Sequence, residues 1–346
     1  MKIAVIYSLP TRRALSSPFV ATDEDTKESA EEVAEALESK GADVTLFPVS
    51  EDTIDTISSI EADVIFNLIE WDGLDMPLFL RAMELIEQSE IPFTGSSITT
   101  MRTLSDKANM KEALDAGGIP TPRWQLFTQP HFSQSGAGFT DGSEPVREDF
   151  MYPVIMKLAL THCSIGLTRS AVVDQPEDVA CQVKKHIATH HQSVYVEEFI
   201  DGREFQVTII EEKREPRVLP PAEIIFKKGG KDSFLTFESR WNEKHPDYHL
   251  SSVKLAVVSP YLKKRLEDVS LAAFRSLGFG DYARMDIRTR GEEPFILEAN
   301  TNPGLGDSDD YGMTVSYKAV GWTFADFCWK IVESCLRRER VWRFGW

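Results

Sequence analysis

Apolar and polar positions in the first 95 residues follow two alternating patterns. Short apolar runs are typical of buried strands, whereas residues 28–40 place apolar side chains at helical spacing before Gly41 ends the pattern. Regular alternation of strands and helices predicts a parallel sheet covered by helices. The predicted strands are residues 2–7, 43–47, 63–68 and 91–94, and the second predicted helix is residues 75–88.

The turn after the first predicted strand, residues 8–25, is long and contains no GxGxxG sequence. Dinucleotide-binding folds use those glycines where the chain approaches the pyrophosphate. A dinucleotide site at this turn is therefore not expected.

Beyond residue 95 the pattern becomes mixed. Residues 131–149 are rich in Gly, Ser and acidic residues and show no periodicity, which indicates a mobile excursion or a domain hinge. Residues 226–252 are polar and contain Gly229-Gly230, which predicts a long loop that is either functional or disordered. The predicted helices are residues 98–104, 106–116 and 260–277 and a terminal helix, and residues 153–210, 282–289 and 294–299 contain the predicted strands.

Composition narrows the possible partners. The chain has 346 residues with 42% apolar residues, which suggests two or three soluble domains. Its net charge of −17 counts against nucleic acid or an anionic membrane surface as a partner. No run reaches the roughly 18 apolar residues of a membrane span. We therefore expect a protein without nucleic-acid or membrane partners.

The chain start and the cysteines indicate a cytoplasmic protein. The first residues have no cleavage pattern and are interpreted as a strand rather than a signal peptide. The four cysteines lie far apart and form no CxxC pair. Cys328 and Cys335 share the apolar stripe of the terminal helix, so we expect them in the core.

Two consecutive predicted strands carry the strongest chemical signal. If they pair as an antiparallel hairpin, Asp286, Glu298 and Asn300 can converge at one end. Two carboxylates about 4 Å apart repel by roughly 4 kcal/mol at an effective dielectric constant near 20. Carboxylate and amide oxygens with incomplete ligation suit Mg²⁺. The alternative is a pair of surface acids, and the spacing alone leaves both interpretations open.

Isolated basic residues and turns provide further candidates. Lys157 ends an apolar strand, where an ammonium group needs an anionic partner, either a ligand or a salt bridge. Lys107 opens a helix and could bind an anion or lie on a solvated face. Residues 161–166 could cradle phosphate with backbone N–H groups or form a plain hairpin turn. Residues 194–204 could bind a purine edge or form an ordinary loop.

The order of these motifs resembles the ATP-grasp superfamily, and within it the D-alanine–D-alanine ligases. The resemblance extends from about residue 91 onward. It rests on residues 91–97, 105–107, 116–122, 283–286 and 297–304, the last reading Leu-Glu-Ala-Asn-Thr-Asn-Pro-Gly. It implies an α/β protein of three domains: an N-terminal parallel-sheet (pre-ATP-grasp) domain, residues 1–95, and two α+β grasp domains, residues 96–200 and 201–346. The loop of residues 226–252 would act as a lid.

The resemblance also implies roles at matching positions. Asp286, Glu298 and Asn300 would hold two Mg²⁺ ions, for which Mn²⁺ could substitute. The nucleotide ATP would be bound by Lys107 and Lys157 at the phosphates, Glu197, Glu198 and the Ile200 backbone at adenine, Glu204 at ribose, and Leu297 below adenine. The catalytic set would be Arg284 and the Gly304 N–H at the oxyanion, with Ser164 of the phosphate turn and Arg240 of the loop.

The implied reaction joins a small-molecule carboxylate to an amine. The carboxylate attacks the γ-phosphate of ATP to give an acyl phosphate, and the amine then displaces phosphate. Such a transfer needs positioning and charge neutralisation more than a protein nucleophile. Ligases resembling this chain are often homodimers through the first domain, which makes a homodimer the candidate assembly and leaves the oligomeric state open.

Several positions depart from the family pattern and concern the substrates. Residues 8–25 lack the family's glycine-rich turn, and its His-Gly motif is replaced, so that Glu70 or Asp72 could contact substrate or simply lie at the surface. The usual Lys-Tyr pair falls on Arg240-Trp241, so Trp241 takes the substrate-contacting position of that tyrosine without its hydroxyl. The usual Ser-Ser falls on Cys163-Ser164.

Asp309 occupies the position where the family has a small hydroxyl residue that receives the second substrate's carboxylate. An aspartate there would repel that carboxylate, so we hypothesise an amine substrate other than D-alanine. The alternatives are a genuine D-alanine–D-alanine ligase, an enzyme that passes the acyl phosphate to another acceptor, and an inactive nucleotide-binding regulator. The site retains five charged or polar residues whose burial costs free energy, which argues against an inactive regulator.

Overall fold

The computed structural model describes residues 1–71, 75–128 and 145–344, with backbone only for residues 23, 24 and 339–344. The strands are β1 (Lys2–Ser8), β2 (Asp43–Val49), β3 (Val64–Leu68), β4 (Trp124–Phe127), β5 (Val154–Leu158), β6 (Val172–Val173), β7 (Val194–Glu198), β8 (Glu204–Glu212), β9 (Glu215–Val218), β10 (Ala222–Phe226), β11 (Ser251–Leu255), β12 (Tyr282–Arg290) and β13 (Glu293–Asn300). The helices are α1 (Arg12–Leu15), α2 (Ala21–Ser39), α3 (Met76–Gln88), α4 (Ile98–Ser105), α5 (Lys107–Ala116), α6 (Pro176–His190), α7 (Phe237–Trp241), α8 (Pro260–Ser276), α9 (Gly312–Lys318) and α10 (Phe324–Phe344).

The N-terminal strands form the predicted parallel sheet, in the order β2-β1-β3. Helix α2 covers it through Val33 and Leu37, which are fully buried, as the helical spacing predicted. Two predictions were inexact. The long turn contains α1 and the first turns of α2, and the predicted fourth strand is reduced to one parallel bridge between Ile65 and Phe93.

Two antiparallel sheets follow. The first has the order β4-β7-β5-β6 and is covered by α6 through Val179, Val183 and Ile187. The second has the order β11-β10-β8-β12-β13, with β9 paired to β8. Helices α5 and α8 share a core with this second sheet. The pocket described below lies between the two antiparallel sheets.

Helix α10 returns to the N-terminal part of the chain. Phe327, Ile331 and the two cysteines Cys328 and Cys335 are buried in a core that also contains Leu37 of α2. The prediction of core cysteines is therefore confirmed. Within the described ranges, none of the helices combines the length and apolar character that crossing a bilayer requires.

The 226–252 loop is more structured than its polar sequence indicated. It contains α7, two short 3-10 turns and the first residues of β11. Phe237 of α7 packs edge-to-face on Phe19 of the N-terminal part, with ring centroids 4.8 Å apart. The other segment, residues 131–149, was predicted to be a mobile excursion or a hinge. Its residues 131–144 lie outside the described residues.

Candidate nucleotide-binding active site

A buried row of charges lies at one side of the pocket. Glu197 of β7 is fully buried, and Lys157 of β5 places Nζ 2.6 Å from Oε1. Lys111 of α5, also fully buried, places its Nζ 2.7 Å from Oε2 of the same carboxylate. Burial raises the pKa of Glu197, but the two lysines outweigh burial and hold that pKa below its usual range. The carboxylate is therefore ionised and fixes both ammonium groups.

The hairpin of β12 and β13 forms the opposite side, in the predicted antiparallel pairing. Asp286 faces Glu298, and Arg284 faces Asn300, so alternation along the strands places all four side chains on one face. Arg284 donates to both oxygens of Asp286 at 2.7 and 3.0 Å, and the Asn300 amide donates to Asp286 Oδ2 at 3.2 Å. This face therefore carries the carboxylate and amide oxygens that the sequence predicted.

Glu298 connects the hairpin to the rest of the pocket. Its Oε1 contacts the Lys107 ammonium and lies 3.2 Å from Nδ1 of His162. Burial raises the pKa of Glu298, but Lys107 and His162 outweigh burial and hold it well below the usual range. Lys107 is only 7% exposed, which excludes the solvated face that was one interpretation of its position.

The turn between β5 and β6 has an unusual backbone. Cys163 and Ser164 both have left-handed conformations, with φ of 54° and 61°, and Gly166 follows at 73°. Non-glycine residues in this region cost about 1 kcal/mol or more each, and such strain is concentrated at functional sites. Ser164 and Gly166 both line the pocket. The conformation supports the interpretation of this turn as an anion cradle over that of a plain hairpin.

The connection between β7 and β8 closes the far end of the pocket. Ile200 and Glu204 line it, and Leu297 contributes from β13. Gly202 lies directly against β12, where a Cβ atom would collide with the carbonyl of Thr289. Glycine is therefore required for this close approach, which fixes the connection over the pocket.

The 226–252 loop covers the pocket from outside. Arg240 of α7 lines the cavity, and its guanidinium lies 5.4 Å from the centroid of the Trp241 ring. Trp241 donates from Nε1 to the Cys163 carbonyl at 3.0 Å. Helix α7 is thereby attached to the strained turn.

Most of the residues assigned from the sequence come together, and some do not. The pocket is lined by Lys107, Lys157, Ser164, Glu197, Glu198, Ile200, Glu204, Arg240, Asp286, Leu297 and Glu298. Arg284 and Asn300 adjoin it through Asp286, and Gly304 follows β13.

The three proposed substrate residues are placed differently. Trp241 contacts the turn rather than the cavity. Glu70 follows β3, where its backbone N–H donates to the Ser8 hydroxyl at 3.1 Å. The Asp309 side chain is 81% exposed and pairs with Lys318 at 3.0 Å, so it does not face the pocket. Asp72, the alternative to Glu70, lies outside the described residues.

Sequence reasoning missed several residues of the pocket or its wall, and three of them contact its carboxylates. Lys111 follows Lys107 by four residues on the helix face that also buries Leu114, and that spacing was an available signal. Arg288 lines the pocket and follows Arg284 and Asp286 at the alternation of a strand. His162 lies in an irregular turn, and no sequence pattern indicated its contact with Glu298.

Comparison with known proteins identifies the family. A sequence model of the family described as "D-ala D-ala ligase C-terminus" matches residues 113–333. The D-alanine–D-alanine ligase of Desulforudis audaxviator (strain MP104C) is 30% identical over 316 residues, which cover 90% of this chain and 93% of that protein. The chain belongs to the D-alanine–D-alanine ligase family.

Solved structures agree with this family at the level of the fold. The D-alanine–D-alanine ligase from Bacillus anthracis complexed with ATP has a TM-score of 0.71 at 19% identity, covering 98% of this chain and 99% of that one. The VanG D-Ala:D-Ser ligase from Enterococcus faecalis has a TM-score of 0.70 at 20% identity, covering 96% and 99%. The predicted ATP-grasp fold is therefore confirmed.

Membership of the D-alanine–D-alanine ligase family establishes the general activity. The family consists of ATP-dependent enzymes that form C–N bonds. The predicted class of enzyme, a C–N ligase that uses ATP, is confirmed.

Proposed function

We propose that this ligase joins a carboxylate to an amine through an acyl phosphate formed in the pocket between the two antiparallel sheets. The observation that carries the proposal is that Lys107 and Lys157 line the same cavity as Asp286 and Glu298. Cations and carboxylates that line one cavity match a polyphosphate accompanied by a metal ion.

The nucleotide would lie along the pocket. Ile200 offers its backbone to adenine above Leu297, Glu204 accepts from a ribose hydroxyl, and Glu197 and Glu198 line the adenine end. Lys107 and Lys157 neutralise the phosphates, and the strained turn around Ser164 donates backbone N–H groups to them. The positions of these residues in one pocket support the proposed roles.

The donor set at the hairpin fits Mg²⁺. Among the described residues, no group of three or more His, Cys, Asp or Glu side chains is arranged to hold a metal ion by itself. Asp286, Glu298 and Asn300 would therefore share an ion with phosphate oxygens and water, which is how Mg²⁺ is usually bound. Bound Mg²⁺ would neutralise phosphate charge, and we propose two ions, with Mn²⁺ as a substitute.

Arg284 and Lys107 would change partners when the site fills. Both cations are now held by the carboxylates, Arg284 by Asp286 and Lys107 by Glu298. Asp286 and Glu298 would hold the ion through these same oxygens, so Arg284 and Lys107 would be free for other partners. Lys107 would then turn to phosphate, and Arg284 with the Gly304 N–H would stabilise the oxyanion that forms when the amine attacks the carbonyl carbon. The amine loses its proton as phosphate leaves.

We further propose that the amine substrate differs from D-alanine. Asp307 and Asp309 share one cation, Lys318, so the turn that follows Gly304 keeps an excess of negative charge next to Asp310. The Asp309 carboxylate lies outside the cavity, so the negative charge of this turn would act on the amine at a distance. It disfavours a free α-carboxylate and favours an uncharged or cationic group near that point of the amine. Arg240 lines the cavity and is available to a carboxylate there.

The remaining assignments are part of the same proposal. Residues 1–95, 96–200 and 201–346 act as the N-terminal, central and catalytic domains, with the 226–252 loop as a lid. A homodimer is the proposed assembly.

Turnover tests the proposed function. Phosphate release is measured with ATP, Mg²⁺ and D-alanine as the carboxylate while a panel of D-amino acids, L-amino acids, diamines and amino-acid amides is varied. Products are identified by mass spectrometry. We expect amide formation that is better with an amine other than D-alanine. Efficient formation of D-alanyl-D-alanine would overturn the substrate proposal, and ATP binding without any amide product would overturn the ligase assignment of the pocket.

A further inference from the structure

Arg288 is a buried cation in the pocket wall to which none of the roles above gives a task. It is 2% exposed and lies on β12, directly opposite Glu204 of β8 in the strand register. Its guanidinium also lies over two aromatic rings, 4.9 Å from the centroid of Phe199 and 5.5 Å from that of Phe226. The side chain is therefore buried against two rings and has little freedom to move.

The edges of the guanidinium hold three separate parts of the pocket. Nε donates to Glu204 Oε2 at 2.7 Å, and Nη1 donates to the Ile200 carbonyl at 2.9 Å. Nη2 donates to the carbonyl of Ser233, which belongs to the 226–252 loop. One rigid group thus joins the carboxylate at the ribose end, the connection at the adenine end and the loop that covers the pocket.

The geometry makes these three contacts interdependent. A guanidinium is planar, and its donors have fixed directions, so a shift of one acceptor moves the donors that serve the other two. Arg288 occupies Oε2 of Glu204, and Oε1 is the oxygen to which a ribose hydroxyl would bind. A ribose hydroxyl bound at Oε1 would fix the orientation of the Glu204 carboxylate. The carboxylate would then fix the Arg288 guanidinium, which in turn would hold the Ser233 carbonyl in place.

We propose that Arg288 is a positioning residue that couples recognition of the ribose hydroxyls to closure of the 226–252 loop. The inference rests on the proposed function, because it takes Glu204 as the ribose contact. Coupling between two sites is reciprocal. A nucleotide with both ribose hydroxyls stabilises the loop, and an open loop weakens binding of the ribose.

Arg169 supplies a matched control on the same loop. It donates from Nη1 to the carbonyls of Asp232 and Phe234, the two neighbours of Ser233, at 2.7 and 2.9 Å. It also pairs with Asp247 of the loop. Arg169 holds the same backbone segment as Arg288 but belongs to the connection between β5 and β6, just after the strained turn of Cys163 and Ser164. Arg169→Met therefore loosens the loop without touching Glu204.

The experiment combines hydrogen exchange of the 226–252 loop with calorimetric affinity for the non-hydrolysable β,γ-imido analogue of ATP and its 2′-deoxy and 3′-deoxy forms. Neither measurement needs the amine or the carboxylate. In the wild type we expect the ribo form to bind about tenfold or more tightly than at least one deoxy form, as for a hydrogen bond to a charged group. The ribo form should also protect the 226–252 loop from hydrogen exchange several-fold more strongly than that deoxy form does.

Variants separate coupling from mere structural support. In Arg288→Met, we expect the preference for the ribo form to fall to about twofold or less and the extra loop protection to disappear. In Arg169→Met, exchange should rise with every nucleotide while the preference for the ribo form remains. Glu204→Gln should also abolish the extra loop protection, because Arg288 links Glu204 to the loop.

Two results would overturn the proposed coupling. A deoxy analogue that protects the loop as well as the ribo form, or an Arg288→Met protein that keeps the wild-type preference, overturns the coupling. A wild type that binds no ATP analogue overturns the proposed function itself. If Arg288→Met does not fold, Arg288→Lys keeps the charge but cannot serve three acceptors, and with Glu204→Gln it decides the question by the same two readouts.

Discussion

Replacing Lys111 by methionine removes one of the two cations that neutralise the buried carboxylate of Glu197. Methionine preserves most of the side-chain volume, so the change is mainly in charge. At 2.7 Å and an effective dielectric constant near 20, the attraction between Lys111 and Glu197 amounts to about 6 kcal/mol, and the recovered hydration of the lysine offsets a large part of it. We expect a net loss of about 3 kcal/mol in the free energy of unfolding.

The same change should affect nucleotide binding. With Lys111 gone, Glu197 retains Lys157 as its partner, 2.6 Å away, and holds it more firmly. Lys157 is then less available to phosphate, so the KM for ATP should rise several-fold while the kcat at saturating ATP changes less. Loss of packing alone would not produce this split between the two constants.

Urea unfolding followed by tryptophan fluorescence measures the stability, and ADP formation measures the KM. The double variant Lys111→Met with Glu197→Gln is the control, because removing the uncompensated carboxylate should restore part of the stability. A loss below about 1 kcal/mol in Lys111→Met, or strictly additive losses in the double variant, would refute the reasoning.

Three further predictions concern other parts of the structure. Lys157→Met should reduce Mg²⁺-dependent ADP formation at least about 100-fold with little change in Tm, whereas the exposed control Lys184→Met should retain activity; equal activities would contradict the phosphate role. Gly202→Ala should raise the KM for ATP about tenfold or more, because its Cβ meets the Thr289 carbonyl, while Gly229→Ala, with open space around it, should not; equal KM values would contradict the close approach. Burial raises the pKa of Asp281 to about 7, so the folded protein keeps a proton that the unfolded chain loses near pH 4. The contribution of this group to stability therefore falls as the pH rises from about 4 to 7. Urea unfolding at pH 5 and 7 should show the wild type losing about 2 kcal/mol relative to Asp281→Asn, and parallel pH profiles would contradict the shift.

Alternation along the hairpin made the carboxylate face predictable. Side chains of an antiparallel pair repeat every two residues, so Asp286 and Glu298 had to meet once the pairing was known. Lys157 was predictable because a charge at the end of an apolar strand needs a partner. The identity of that partner, Glu197, depends on the register of β5 against β7, which local sequence does not specify.

The remaining features depend on contacts between distant segments. The 226–252 loop is polar and aperiodic, and it is held in place by Arg169, Arg288 and the contact of Phe237 with Phe19. Asp309 aligned with a substrate-binding position, but its side chain pairs with Lys318, which only the fold of the following helix brings within 3.0 Å. Such contacts are properties of the tertiary structure, and no local sequence pattern predicts them.

Transfer of ¹⁸O from the carboxylate substrate to phosphate tests the central claim most directly. D-alanine labelled with ¹⁸O in both carboxylate oxygens is incubated with the enzyme, ATP, Mg²⁺ and the best amine, and the released phosphate is examined by mass spectrometry. An acyl phosphate requires that each turnover deliver one ¹⁸O to the phosphate and leave one in the amide. Unlabelled phosphate released together with the amide product would contradict the proposed reaction.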